Sequence, residues 1–246
     1  MFVIRRKKKM KIEAKILKTF IEKVSVNGTL PSIVLRFSKE GIDVKTRSVD
    51  NIAIVTGHLE NDVLKNPEDM VLPIKDTKLL LTMIKDFEGE IEIKKVDNIV
   101  KFFNEKRQID VVLASEDFIE TELKELPSFA TKFDGGILIE TAVMKKASNN
   151  MTSLKTSKVC IEVKDKVMTF GVGDKNFDSI QEKIKVDYAD CKNHYGETFC
   201  QFVNVIDKNV TFTMKNDFPF QLSEKNEGML IKYILAPIID DGKKEE

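Results

Sequence analysis

Tryptophan is absent from this 246-residue chain, histidine occurs twice and cysteine three times. The last two scarcities each exclude a chemistry. Cys160, Cys191 and Cys200 are odd in number and no two have metal-ligand spacing, so they read as free thiols of a reducing compartment and not as a disulfide framework. His58 and His194 lie far apart, and no HExxH, GxSxG or GxxxxGK(S/T) string occurs. The expectation is therefore no catalytic residue, no metal site and no cofactor. No apolar run approaches the roughly 20 residues that span a bilayer, so no membrane partner is expected. Net charge is also missing, since 40 Lys and Arg balance 40 Asp and Glu. A neutral protein can still bind nucleic acid if the two signs lie on different faces, so this balance decides nothing by itself.

What is present is a folded, highly charged chain, 42% hydrophobic and 33% charged, with 16 phenylalanines. That much apolar surface offsets chain entropy and excludes general disorder. Residues 1–9, MFVIRRKKK, place an apolar stretch before a basic run, the reverse of a signal peptide. They read as a disordered basic extension, with nuclear import or DNA contact left open, and the fold is expected to begin near Met10.

Four segments carry helical period. They are Ala14 to Val24, with Ile16, Leu17, Phe20, Ile21 and Val24 on one stripe, and Asp76 to Phe87, with Leu79, Leu80, Met83, Ile84 and Phe87. The third runs from Thr141 to Asn150 with Val143, Met144, Ala147 and Met151, and the fourth from Glu197 to Asp207 with Phe199, Phe202, Val203 and Ile206. Their starts recur at intervals of about 60 residues, the beat of a repeated unit. Alternating strand patterns such as SIVLRFS, GIDVKTR, VCIEVKD and KVMTFGV fill the intervals, joined by short turns of hairpin chemistry. The fold class is α+β, with mostly antiparallel sheets in two pseudo-equivalent domains. Residues 10–113 form the first and 134–241 the second, and residues 242–246 are an acidic tail. The acidic stretch Ala114 to Phe133 reads as an extended interdomain connector, the alternative being an amphipathic helix that stops at Pro127.

If the apolar stripes pack on sheets, the opposite helix faces meet solvent, and these are rich in lysine. Lys15, Lys18 and Lys23 mark the first helix, Lys75, Lys78 and Lys85 the second, and Lys145 and Lys146 the third. The fourth is weak, with Gln201 and Asn204 in its middle and Lys208 at its end. Acidic residues gather in connections instead. Lysines in this arrangement suit sequence-independent contact with duplex phosphates, although they would also serve as plain solvating surface. No aromatic interleaving of the kind that stacks single strands is present.

The C-terminal string GMLIKYILAPII, residues 228–239, resembles the closing strand and tail of the sliding clamp family of the PCNA (proliferating cell nuclear antigen) type. GIDVKTRSVDNIAIV, residues 41–55, resembles the family's strand, loop and strand after the first helix, and DFPFQL, residues 217–222, its turn two strands before the end. The resemblance implies a non-enzymatic subunit of a head-to-tail trimer that encircles double-stranded DNA. Its helices would line the hole, with Lys15, Lys18, Lys75, Lys78, Lys85, Lys145, Lys146 and Lys208 as DNA contacts. It implies self-association through edge strands at Ile109, Val111 and Leu113 and at Ile180 and Ile184. It further implies a clamp loader, and docking of DNA polymerase and other partners by a short apolar peptide, the PIP box. That peptide's pocket would use Arg47, Asn51, Leu123, Leu126, Ala236, Pro237 and Ile238. Arg47 departs from the family, which often has an apolar residue there, usually Met, and Ser48 falls where Asp is common. Such a protein works where DNA is replicated, in the cytoplasm or nucleoid if archaeal or viral and in the nucleus if eukaryotic. The alternative is an adaptor or decoy of the same fold that binds partner proteins without encircling DNA.

Overall fold

The computed structural model describes residues 9–133, 135–173, 178–226 and 228–239. Residues 1–8 of the basic extension, the last two residues of the expected second domain (240 and 241) and the acidic tail 242–246 lie outside the described residues. Lys9, expected in the extension, is already tied to the fold: its ammonium sits 2.9 Å from the Glu92 carboxylate. The chain divides into two compact units. The first takes Met1–Val49, Val55–Lys124 and Asn226–Ile231, and the second Asp50–Ile54, Glu125–Lys225 and Lys232–Glu246. The division is thus not one cut in the connector: Lys124 ends the first unit's share of it and Glu125 begins the second's.

In chain order the first half contains β1 (Lys11–Glu13), α1 (Ala14–Val24), β2 (Ile33–Ser38), β3 (Gly41–Arg47), β4 (Ala53–Glu60), β5 (Leu64–Lys65), β6 (Met70–Ile74), α2 (Thr77–Ile84), β7 (Glu90–Val96), β8 (Ile99–Phe103) and β9 (Gln108–Val112). The second half follows the same plan. It contains β10 (Ile137–Ile139), α3 (Thr141–Ser153), β11 (Val159–Lys164), β12 (Val167–Gly173), β13 (Ser179–Lys185), β14 (Cys191–Tyr195), α4 (Thr198–Val205), β15 (Val210–Thr213), β16 (Phe220–Asn226) and β17 (Met229–Leu235). In the first unit one sheet runs β5-β1-β7-β8-β9, and β6-β2-β3-β4 are neighbours in that order. In the second, β13-β12-β11-β14 form one sheet and β10-β15-β16-β17 are neighbours. The registered pairs are antiparallel throughout.

Local chemistry explains the element ends. Asp76 caps α2, its carboxylate accepting the Leu79 amide at 2.7 Å. Gly89 does the same for α1 from a distance, its carbonyl accepting the Ala14 amide at 2.9 Å. Between β11 and β12, Asp165 and Lys166 both take positive φ, 51° and 62°, as a two-residue hairpin turn requires. α2 is shorter than its periodicity predicts and ends at Ile84. Leu79, expected in its apolar stripe, is 54% exposed. Thr77, Leu80 and Ile84 define the buried side, and Leu79, one position before Leu80, is rotated off it by roughly 100°.

The first unit's core is largely aliphatic: Leu17, Phe20, Ile21 and Val24 of α1 are fully buried, as are Ile33, Leu35, Ile42 and Val55. α1 can come this close to β4 because Gly57 has no side chain. A Cβ there would stand 2.4 Å from Val24 Cγ1 and 3.1 Å from Phe20. The second unit's core is aromatic. Tyr195 and Phe220 pack edge to face at 4.6 Å between ring centres, Phe199 meets Phe220 at 90°, and Phe202 lies 5.1 Å from Tyr233. The Tyr233 hydroxyl is buried without a hydrogen-bond partner among the described residues, and burial holds its pKa well above the usual phenol value.

Two substitutions test this packing. Gly57→Ala should destabilise by about 1–3 kcal/mol, because Val24 and Phe20 must move to admit the methyl group. Tyr233→Phe should leave stability unchanged or raise it by up to about 1–3 kcal/mol, because it removes a hydroxyl that has lost its water and gained no partner. Urea unfolding of the two variants beside the parent measures both.

Candidate nucleic-acid and partner interfaces

The helices pack in pairs within their units, α1 with α2 and α3 with α4. Together they contain six lysines and one acidic residue, Glu22, in a chain whose net charge is zero. Lys15, Lys78 and Lys146 on the helices are exposed, as are Lys75 and Lys85 that flank α2. Lys145 is half-buried, and Lys18 is half-buried with its ammonium 3.6 Å from Glu22 one turn on. Lys23 is a correction. It is 2% exposed and belongs to the packed side of α1, because it follows Phe20 by three positions on the same stripe edge. Lys208 is exposed but lies beyond the end of α4, in the loop whose Asp207 and Lys208 amides are held by the buried Glu224 carboxylate. α4 itself, Thr198–Val205, has no charged residue.

β9 and β13, the strands that hold most of the expected subunit contacts, are edge strands of their sheets. The phase of their ladders corrects which residues face outward. Leu113 donates its amide to the Asn98 carbonyl, so in the β8–β9 register Val111 and Ile109 also exchange their bonds with β8. The open edge is formed by the backbone groups of Asp110 and Val112. Val186 donates to Lys166, and the same alternation turns Ile180 and Ile184 toward β12 and leaves Gln181, Lys183 and Lys185 open. Ile109 and Leu113 are buried and contribute to their own unit's core.

The connector is not a helix. Residues 116–118 and 128–131 form single 3₁₀ turns, and between them lie turns and bends with one strand-like bridge at Glu122. In the first unit its early part is fastened to β2 and β3. Thr46 and Glu122 form an antiparallel bridge, the Arg47 amide donates to the Thr121 carbonyl (2.9 Å), and the Leu123 amide to the Lys45 carbonyl (3.0 Å). Arg36 binds Glu122 through Nε (2.8 Å) and Nη2 (2.6 Å), and Glu116 through Nη2 (2.6 Å). Sequence reasoning missed this group. Its one visible signal is a single charge, Arg36, inside the apolar strand IVLRFS. Arg47 is half-buried, its guanidinium donating to the Glu120 carbonyl (3.3 Å).

In the second unit Leu126 is half-buried, and Phe129 and Phe133 meet Phe218 edge to face at 6.4 and 5.4 Å. Asn51 is exposed with a positive φ of 60°. The tail leaves β17 after Leu235. Ala236 donates to the Ile52 carbonyl (2.8 Å) and Ile238 to that of His194 (2.7 Å), with Ala236, Pro237 and Ile238 all half-exposed.

No family model and no curated protein matches the sequence. The fold does have counterparts. PCNA from Entamoeba histolytica superposes with a TM-score of 0.78 at 18% identity, over 94% of this chain and 98% of that one. A. fulgidus PCNA, solved with the C-terminal region of FEN-1 bound, gives 0.79 at 17% identity over the same shares. The PCNA2–PCNA3 complex of Sulfolobus tokodaii gives 0.71 at 11%, over 94% and 99%. The chain has the fold of the PCNA-type sliding clamps. The clamp fold covers nearly the whole chain, and each of its two units supplies one pair of helices.

The ladder phase sets up a contrast that stability measurements can read. Val112→Pro removes an amide that points away from β8, so its cost should stay below about 1 kcal/mol. Val111→Pro removes a donor bonded to β8 and should cost roughly 1–3 kcal/mol. Thermal unfolding of the two variants compares them directly, and equal losses would mean the phase is misread.

Proposed function

We propose that the chain is a subunit of a ring that encircles duplex DNA and tethers a polymerase and other partners to it, without catalysis of its own. The observation that carries this reading is the sign separation: five helical lysines that reach solvent, Lys15, Lys18, Lys78, Lys145 and Lys146, against one helical carboxylate, in a neutral chain with the clamp fold. Lys15, Lys75, Lys78, Lys85 and Lys146 make no ion pair among the described residues, so their charge is available to phosphates. Lysines of this kind hold a duplex without reading its sequence, which a sliding protein requires. Three copies would close the ring by pairing the open edge of β9 with that of β13 on the next copy, which satisfies backbone groups otherwise left to solvent. Partner peptides would dock on the connector and the tail. The A. fulgidus protein carries a bound region of FEN-1, so a clamp of this fold can hold such a segment.

The second reading, an adaptor that binds proteins without encircling DNA, is favoured by one feature: the uncharged α4. The two readings differ in DNA retention. Reversing Lys15, Lys78, Lys85 and Lys146 to Glu should abolish retention on DNA and stimulation of a polymerase while leaving the fold intact. A milder change of the same four residues to Gln should flatten the slope of log affinity against log salt by about 0.9 for each phosphate that is no longer neutralised. Undiminished stimulation by the Glu variant would favour the adaptor. Assembly is tested by light scattering, where the parent should weigh about three times 28.1 kDa and Val112→Pro should be monomeric.

A further inference from the structure

The pairing of β2 with β3 runs from the turn to Arg36 and Asp43 and stops there. Beyond it the two strands part, and the connector enters the gap. Thr121 is buried at the entry: its hydroxyl donates to the Ser32 carbonyl (3.2 Å) and lies 2.9 Å from the Ser32 hydroxyl, while its carbonyl accepts from both the amide of Arg47 and the hydroxyl of Thr46. The next residue, Glu122, has a side chain only 6% exposed. A carboxylate so placed needs a cation with matching geometry, and the Arg36 fork supplies it. The same guanidinium reaches Glu116, the first residue of the 3₁₀ turn. One side chain therefore holds the connector at two points six residues apart. An open cleft of about 650 Å³, lined in part by Arg36, Val44, Lys45, Glu122 and Leu123, lies over this junction.

We propose that Arg36 is a positioning residue for partner docking: by clamping Glu116 and Glu122 it holds Leu123 and Arg47 in fixed relation before any peptide arrives. The proposal rests on the reading above that peptides dock on the connector. Arg47 and Leu123, the two first-unit residues of that reading, are joined across the junction: the Arg47 amide of β3 donates to Thr121 of the clamped stretch, and the amide of Leu123, next to Glu122 in that stretch, donates back to Lys45 of β3. Without the fork, Glu122 is left as a nearly buried charge with no cation, and the simplest relief is for the connector to lift out of the gap. A partner would then have to reorder the connector as it binds, which lowers affinity even though every group that touches the peptide is still present. Arg36→Lys keeps the charge but loses the two-nitrogen fork, so it should rescue only in part.

The test has two readouts on the full chain. The first is amide hydrogen exchange of the free protein at Arg47 and Leu123. Arg36→Ala should speed exchange there by about tenfold or more, with β8 and β9 unchanged, and Glu116→Ala, which removes one arm and leaves the buried partner in place, should give a smaller local increase. The second is binding of a peptide from the C-terminal region of FEN-1, followed by calorimetry. Arg36→Ala should weaken it about tenfold, Arg36→Lys less, and the double variant Arg36→Met with Glu122→Gln should recover most of the loss by removing the stranded charge. Unchanged exchange at Arg47 and Leu123 would overturn the clamp. Faster exchange with unchanged affinity, for a peptide that Leu126→Ala with Pro237→Ala does weaken, would overturn the positioning role alone. A parent protein that binds no such peptide would overturn the docking reading and with it the role of Arg36 in docking, while the exchange data would still judge the clamp.

Discussion

Each helix of this protein must bury one apolar stripe, and that requirement decides where its charges go. α1 presses Leu17, Phe20, Ile21 and Val24 onto a sheet that has given up a side chain at Gly57 to receive it. With that face committed, Lys15 has only the solvent side left. The same logic puts Lys78 and Lys146 outside on α2 and α3. A surface rich in one sign thus follows from core packing, in a chain with no net charge. The position of Lys23, drawn to the packed side, shows how narrow the permitted arc is.

The two units reach one plan with different materials. The first buries mainly aliphatic side chains and the second a run of phenylalanine and tyrosine rings. A fold specified by pattern and by total core volume tolerates this. It also accounts for strong structural likeness to PCNA-type clamps at 11–18% identity. Period and alternation are kept where individual residues are not.

That is also why much of the fold was legible in the sequence. The apolar stripe places α1 at about Ala14 to Val24, and the helix runs there, because Leu17, Phe20, Ile21 and Val24 leave one face to bury. The hairpins followed from short polar turns between alternating runs. What stayed hidden was non-local or a matter of phase. Leu79 looked buried because an eight-residue helix offers too few positions to fix the direction of its stripe. The outward residues of β9 and β13 depend on which pair in a ladder is hydrogen-bonded, and alternation of side chains cannot reveal it. The Arg36 fork joins residues 80 and 86 positions apart, and nothing local marks Glu116 or Glu122 among the connector's other acids. The connector was legible as a connector, and its fastening was not.

Helices that expose lysine, edge strands with open backbone groups and a connector held partly in place suit a subunit that closes a ring around DNA and offers its connector to other proteins. Closure around an opening is the central claim, and electron microscopy of the purified protein tests it most directly. The account predicts closed particles of three subunits with a central hole wide enough for a duplex. Particles without an opening, or single subunits at micromolar concentration, would contradict it.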